Sequence, residues 1–275
     1  MRNCEPSRTI NHARVLEILQ RQRVVSRPEI VNTTGLSRAT IATIVDDFLE
    51  IGLVHKAGLG NSTGGRPPVL LEFNPQAALA LGARMHNYDW GIVVTDLDAK
   101  VIHRCEVPIM PDFTPQKAIQ ALKEGVDMSL NKVDRQLVLP AIGLGTPGLV
   151  DIKSGVIKSA VDVDWFDVPI RVMASEVLGM KVFVANRSKV GDLAEFWYGA
   201  GQGEKDLIYI SIGTGIAAGI IHQGEVYVGV SSSSGELGHV TVVPDGPMCP
   251  CGNRGCLQQL ASGPAIANRA REWLR

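Results

Sequence analysis

GELGHVTVVPDGPMCPCGNRGCLQQ, residues 235–259, holds three of the chain's five cysteines, Cys249, Cys251 and Cys256, with His239 ten residues before the first. Thiolates and an imidazole are the ligands zinc prefers, and four of them close a tetrahedral structural site. Gly252 and Gly255 allow the backbone to fold tightly around an ion, and Pro250 stiffens the first ligand pair. Three unrelated loop cysteines are the competing reading, but cysteine is seldom placed three times within eight residues without a task. No fifth ligand stands nearby, so the expected role of His239, Cys249, Cys251 and Cys256 is to hold a structural Zn(2+) rather than to do chemistry. What that knot holds in place is asked of the rest of the chain.

The 275 residues allow a sizeable core and more than one domain. Net charge is −1, which excludes a global basic field. The balance is uneven: residues 1–74 carry nine Lys and Arg against seven Asp and Glu, too slight a bias to argue for nucleic acid by itself. Cysteines in a metal pattern fit a reducing compartment. With no signal-peptide core and no uninterrupted apolar run, the expected location is the cytoplasm.

Residues 1–9 read as a loose tail, and Val15, Leu16, Ile18 and Leu19 then recur at helical spacing. Ser26 followed by Glu29 is a capping box, and Gly35 ends that helix. Ser37 caps the next, whose apolar positions Ile41, Ile44, Val45 and Phe48 form one stripe. Two strands, Leu53-Val54 and Val69–Phe73, flank the polar tip GLGNSTGGRPP. Three helices and a hairpin make the pattern of a winged helix-turn-helix over residues 1–74. Ser37, Arg38, Ala39, Thr40 and Thr43 stand at the start of the third helix, small or hydrogen-bonding as major-groove readout requires. Arg66, in the Gly-Arg-Pro turn of the wing, suits a minor groove. The expected partner is a double-stranded DNA operator; a helical domain for protein contacts is the plainer alternative.

From residue 75 to 275 strands alternate with helices, antiparallel pairs first and then strands with crossover helices, which predicts a mixed-sheet α/β region. Taken together the motifs resemble the ROK family (repressors, open reading frames and sugar kinases). Glu236-x-Gly238-His239 and Cys249-x-Cys251-Gly252-x-x-Gly255-Cys256-Leu257 carry the resemblance, with IGTGIAAGII similar to a phosphate loop and GTPGLVD to a sugar-pocket loop. The resemblance implies an actin-like, two-lobed fold, a first lobe over about 75–200 and a partial second lobe over about 201–275. It implies a homodimer or homotetramer, and a chain that stops short of the family's full length. The N-terminal winged helix points to the repressor branch.

The departures from the kinase pattern decide the expected activity. Kinases of the family open with Asp-x-Gly-Gly-Thr on the first hairpin, whereas this chain has Arg84-Met85-His86-Asn87-Tyr88. Where they place the general base after an Asn, this chain reads Asn186-Arg187, and an arginine stays protonated and cannot accept that proton. Ala217 and Ala218 replace glycines of the second phosphate loop. The expectation is a regulator with no catalytic residue. Resemblance to the family's sugar pocket implies an effector set of Gly148, Asn186, Arg187, Glu236, His239 and Gln258, with Gln258 where the family has a glutamate. Arg187 would favour a sugar phosphate or sugar acid over a neutral sugar, unless it is simply an exposed partner of Asp192 or Glu195. A sugar kinase, or a regulator governed by a protein partner, are the two rival functions.

Overall fold

A computed structural model gives the fold, and it describes residues 6–61, 67–86, 88–109, 113–230 and 233–274. The chain divides into two compact units, one of residues 1–79 with 96–98, the other of residues 80–95 with 99–275.

In the first unit α1 (Pro6–Gln22) leads through β1 (Val24–Ser26) into α2 (Arg27–Thr34) and α3 (Arg38–Glu50). The helix begins at Pro6, inside the stretch read as a loose tail. A proline is tolerated there because the first helical N–H needs no partner. Ser26 accepts from the Glu29 backbone while Glu29 Oε2 accepts from the Ser26 backbone at 2.7 Å, so the reciprocal cap is complete. Gly35, at φ 70°, closes α2, and Ser37 Oγ accepts from the Thr40 backbone at 3.1 Å to open α3. β2 (Val54–Leu59) and β3 (Val69–Phe73) pair antiparallel, and β1 adds to β3 to give the order β1-β3-β2. Val15, Leu19, Ile30, Ile41, Ile44, Val45, Phe48, Leu71 and Phe73 close a core between helices and sheet. Each such side chain contributes ~1.5–3 kcal/mol when taken fully from water. Ion pairs finish the surface: Arg8 and His12 both reach Asp47, tying α1 to α3 at 2.9 Å.

The second unit starts with β4 (Leu79–His86), β5 (Asp89–Thr95) and β6 (Val101–Pro108), an antiparallel run. Burial alternates along β4 and puts Leu79, Leu81, Ala83 and Met85 inward, as period two demands. α4 (Pro115–Leu130), capped by Thr114, lies on β5 and β6. Next come β7 (Val138–Thr146), β8 (Leu149–Asp151), β9 (Val156–Ala160), β10 (Trp165–Val168), α5 (Ile170–Leu178), β11 (Lys181–Asn186) and α6 (Arg187–Tyr198). β11 runs parallel to β7 and completes a five-stranded sheet of order β11-β7-β4-β5-β6. β8, β9 and β10 form their own antiparallel sheet, which the sequence reading did not foresee.

A further sheet of order β12-β13-β14 is built by β12 (Leu207–Ile212), β13 (Ile216–His222) and β14 (Glu225–Val226), with α6 packed on β12 and β13. Ile208, Ile210 and Ile212 on β12 face solvent. α7 (Gln258–Ala261) and α8 (Gly263–Trp273) follow the cysteine-rich segment. No described helix is long and apolar enough to cross a membrane.

Candidate functional site

His239, Cys249, Cys251 and Cys256 converge so that their ligand atoms all lie within 4.8 Å of one another. Cys249 Sγ is 3.7 Å from His239 Nδ1, and Cys251 Sγ is 3.8 Å from Cys256 Sγ. An ion with thiolates at ~2.3 Å has tetrahedral edges of about 3.8 Å, so the donor set and its spacing fit a four-coordinate soft metal ion. Burial pushes the Cys249 thiol up, but the Cys251 backbone and side chain, His239 and Gln258 outweigh it and bring it down to about 6. Cys256 is driven the other way, to about 11, by burial and then by its neighbours Cys249 and Cys251. Opposite shifts at Cys249 and Cys256 are what crowded thiols show, since ionising one disfavours ionising its neighbour.

The imidazole of His239 serves two sides. Nδ1 is turned to Cys249, while Nε2 faces the Glu236 carboxylate at 3.9 Å. Both residues belong to one short turn, residues 236–239, pinned to β13: the Ala218 backbone donates to Gly235 O at 2.7 Å. A Cβ on Gly238 would meet Ile216 O at 2.2 Å, so only glycine lets this turn lie so close to the strand.

A cleft of about 930 Å³ opens beside that turn. Gly148, Asn186, Arg187, Glu236, His239 and Gln258 all line it, although they come from separate strands, loops and helices. Gly148, at φ 80°, passes so near β9 that a Cβ would meet Ser159 O at 2.2 Å. Asn186 donates to Gly148 O at 2.7 Å and accepts from the Ser188 backbone at 2.8 Å, capping α6. Gln258 faces two ways: it lines the cleft, and its Nε2 donates to Cys249 Sγ at 3.5 Å, as does Gln259 Nε2. A glutamate in that place would have no proton to give and would set a second negative charge against the thiolate.

Arg187 sits half-buried in the first turn of α6, its Nη2 3.4 Å from Thr214 Oγ1. Burial pushes its guanidinium below the ordinary value, Asp162 pulls it back up, and Arg84 pushes it down again. It does not pair with Asp192 or Glu195. Asp192 is fully buried with neither carboxylate oxygen bonded among the described residues, and Glu195 accepts from the Ala200 backbone at 3.1 Å. Burial raises Asp192 to about 6. In the Gly213-Thr214-Gly215 turn, Gly213 N–H donates to Gly215 O at 2.9 Å and is occupied within the turn.

Two further residues bear on the site without having been read as part of it. Lys189 is buried on α6, where burial lowers its ammonium and the charge of Glu236 raises it. Arg84 reaches the cleft from β4. Neither leaves a sequence signal beyond its place in a departing motif. Tyr88, by contrast, does not line the cleft but meets Phe113 edge-on at 5.3 Å, and Phe113 stacks on Trp165 at 5.2 Å.

In the first unit Ser37, Arg38, Ala39 and Thr43 are exposed, while Thr40 is half-buried and hydrogen-bonded to Ser37 at 2.8 Å. Arg66 lies outside the described residues.

The second unit is a mixed α/β domain with a metal-fitting His/Cys cluster at the edge of a cleft. The ROK family model matches residues 81–275, and the chain belongs to that family. It is 32% identical over 94% of its length to the xylose repressor of Bacillus subtilis, covering 67% of that protein. It is 30% identical over 99% of its length to the DNA-binding transcriptional dual regulator NagC of Escherichia coli, again covering 67%. A crystal structure of a ROK family transcriptional regulator, homolog of the E. coli MLC protein, superposes with a TM-score of 0.84 at 27% identity, over 98% of this chain and 68% of that one. The chain thus spans about two thirds of the length of the curated relatives it matches. These three relatives carry the names of transcriptional regulators.

Proposed function

We propose that the protein is a DNA-binding transcriptional repressor of carbohydrate-related genes, released or reset by a sugar-derived effector bound in a ROK domain that has no kinase activity. The observation that carries the reading is the combination of Arg187 after Asn186 with the intact Glu236–His239 turn. The position read as that of the sugar's proton acceptor carries a permanent cation, while Gly148, Asn186, Glu236 and His239, read as the groups that hold a ring, line one cleft.

Residues 1–74 are read as a winged helix-turn-helix and residues 75–275 as the ROK domain. The exposed start of α3, with Ser37, Arg38, Ala39, Thr40 and Thr43, is read as the major-groove face, and Arg66 as the wing's minor-groove contact. Dimerisation would set the spacing of two such faces. His239, Cys249, Cys251 and Cys256 are assigned to a structural Zn(2+), whose contribution when bound is to cross-link the segment that follows the turn. The chain's own residues do the sensing. Asn186, Glu236 and His239 orient the ring, Gly148 leaves room for it, Arg187 faces its polar end, and Gln258 closes the floor. A ligand drawn against Glu236 biases the 236–239 turn, and a bias that differs between two states of the dimer is an allosteric signal.

The test is a selection of operator sequences from random duplexes with the full chain, followed by gel shift with and without a panel of sugars and sugar phosphates. Retarded duplex that one class of sugar dissolves is the expected result. Failure to select any sequence overturns the repressor reading, and turnover of ATP with any sugar overturns the non-kinase reading.

A further inference from the structure

Arg84 and Arg187 enter the cleft from different elements, β4 and the first turn of α6, and both line its wall. Neither has a carboxylate in salt-bridge range among the described residues. The one hydrogen bond of the Arg187 guanidinium there is the long contact to Thr214 Oγ1 at 3.4 Å. Arg104, the third arginine on the cleft, differs: its Nη2 is 2.8 Å from Glu106. A half-buried cation held near a second cation is unfavourable unless an anion completes the group, and the charges of Arg84 and Arg187 do act against one another.

The acids that face this wall are few. Asp162 lines the cleft and attracts Arg187, and Glu236 lies with His239 and Lys189. One carboxylate against two guanidinium groups leaves a surplus of one positive charge. Space is left for a ligand there as well. Gly82, Gly91, Gly143 and Gly145 line the same cleft. A Cβ on Gly143 would meet nothing within 4 Å, and one on Gly145 would meet the Arg187 backbone at 3.6 Å. Two forks in an open, side-chain-poor recess match the planar, bidentate acceptance of a phosphate or carboxylate. Arg187 directly follows Asn186, so a site for an anion adjoins the one for the ring.

We infer that the effector is an anionic sugar derivative whose phosphate or carboxylate group is held between Arg84 and Arg187. This rests on the reading of the cleft as the effector site and is independent of whether the first unit binds DNA.

The experiment is isothermal titration of the full chain with glucose and xylose, each beside its phosphate esters and its sugar acid, and with inorganic phosphate alone. At least one ester or acid binds ten-fold or more tightly than its neutral parent, and better than inorganic phosphate. In the Arg84→Ala, Arg187→Ala double variant that preference disappears, whereas Arg84→Lys and Arg187→Lys each keep part of it, since charge survives and the fork does not. The lysine variants carry the test if the alanine variant does not fold. Equal or tighter binding of the neutral sugars, absence of binding by every anionic member, or a preference that survives in the variants overturns the inference. So does inorganic phosphate binding as tightly as the best ester, which marks a site for a bare anion. Gel shift on the same preparations separates the two readings: a chain that binds DNA but prefers neutral sugars sinks the inference alone, and one that prefers anions but binds no DNA sinks the repressor reading alone.

Discussion

The start of α3 and the wall of the cleft are built on opposite plans. Along α3 the fold is secured by residues that face inward, Ile41, Ile44, Val45 and Phe48, and by a cap at Ser37, while Arg38, Ala39 and Thr43 stand outside with little structural duty. In the cleft the candidate residues are themselves the fasteners. Asn186 caps a helix and grips a loop, Gln258 bonds a thiol, and Gly148 and Gly238 lie where any side chain collides with backbone. A surface with no fastening duty can be altered without disturbing its scaffold. A cleft that must hold a small ligand rigidly cannot, because pre-organisation is obtained from the same bonds that hold the fold.

That contrast can be broken in four places. The largest effect is expected from Cys256→Ser, which removes a buried ligand: bound metal falls from one equivalent to none by elemental analysis, and the second unit loses several kcal/mol, since metal binding and folding are coupled. If Cys249→Ser folds, binds operator and still answers to effector, the cysteine cluster has no part in signalling. Gly148→Ala comes next. With φ at 80° and Ser159 O at 2.2 Å from the new Cβ, roughly 3 kcal/mol of stability and most of the effector affinity are lost together; a denaturant melt and a titration on the same sample read both.

Third is Asp192, whose carboxyl is held at about 6 by burial against an ordinary 3.8. The folded state keeps this proton where the unfolded state releases it, so stability falls as pH rises from about 4 to about 6 and stays low above. Asp192→Asn is therefore stabilising at pH 7.5, on the order of 2 kcal/mol, and neutral at pH 4; a pair of thermal melts at the two pH values checks this, and equal melting at pH 7.5 refutes it. Smallest in stability is Arg38→Ala, within about 0.5 kcal/mol of the parent in the melt, yet weakening operator binding by ~1–3 kcal/mol in gel shift. An Arg38 variant that unfolds would erase the contrast between the two regions.

Local chemistry made part of this legible in the chain itself. The Ser26–Glu29 box, the Gly35 stop and the Ser37 cap all act within a few residues, and they are where the sequence placed them. The cysteine cluster was legible because thiols at that spacing have few other uses. The sheet of β8, β9 and β10 was not, because strands of three to five residues show too little alternation to register. β1 has the same difficulty, being three residues that are a strand only because β3 lies beside them. Nor could spacing show that Asp192 and Lys189 point inward from α6, that Arg84 turns into the cleft, or that Gln258 leans on a thiol. Each depends on which element packs opposite, which is information held by the whole fold.

Asn186 has one last consequence. An amide free to rotate offers a hydroxyl either its oxygen or its nitrogen and so tolerates either configuration at a ring carbon. Here the oxygen is fixed toward the Ser188 amide and the nitrogen toward Gly148 O, so the group cannot turn over. What remains is one N–H and one lone pair at set angles. On the proposed reading of the cleft, an amide fixed in this way would distinguish epimers: two sugars identical in size, charge and composition differ in whether one hydroxyl meets a donor or an acceptor.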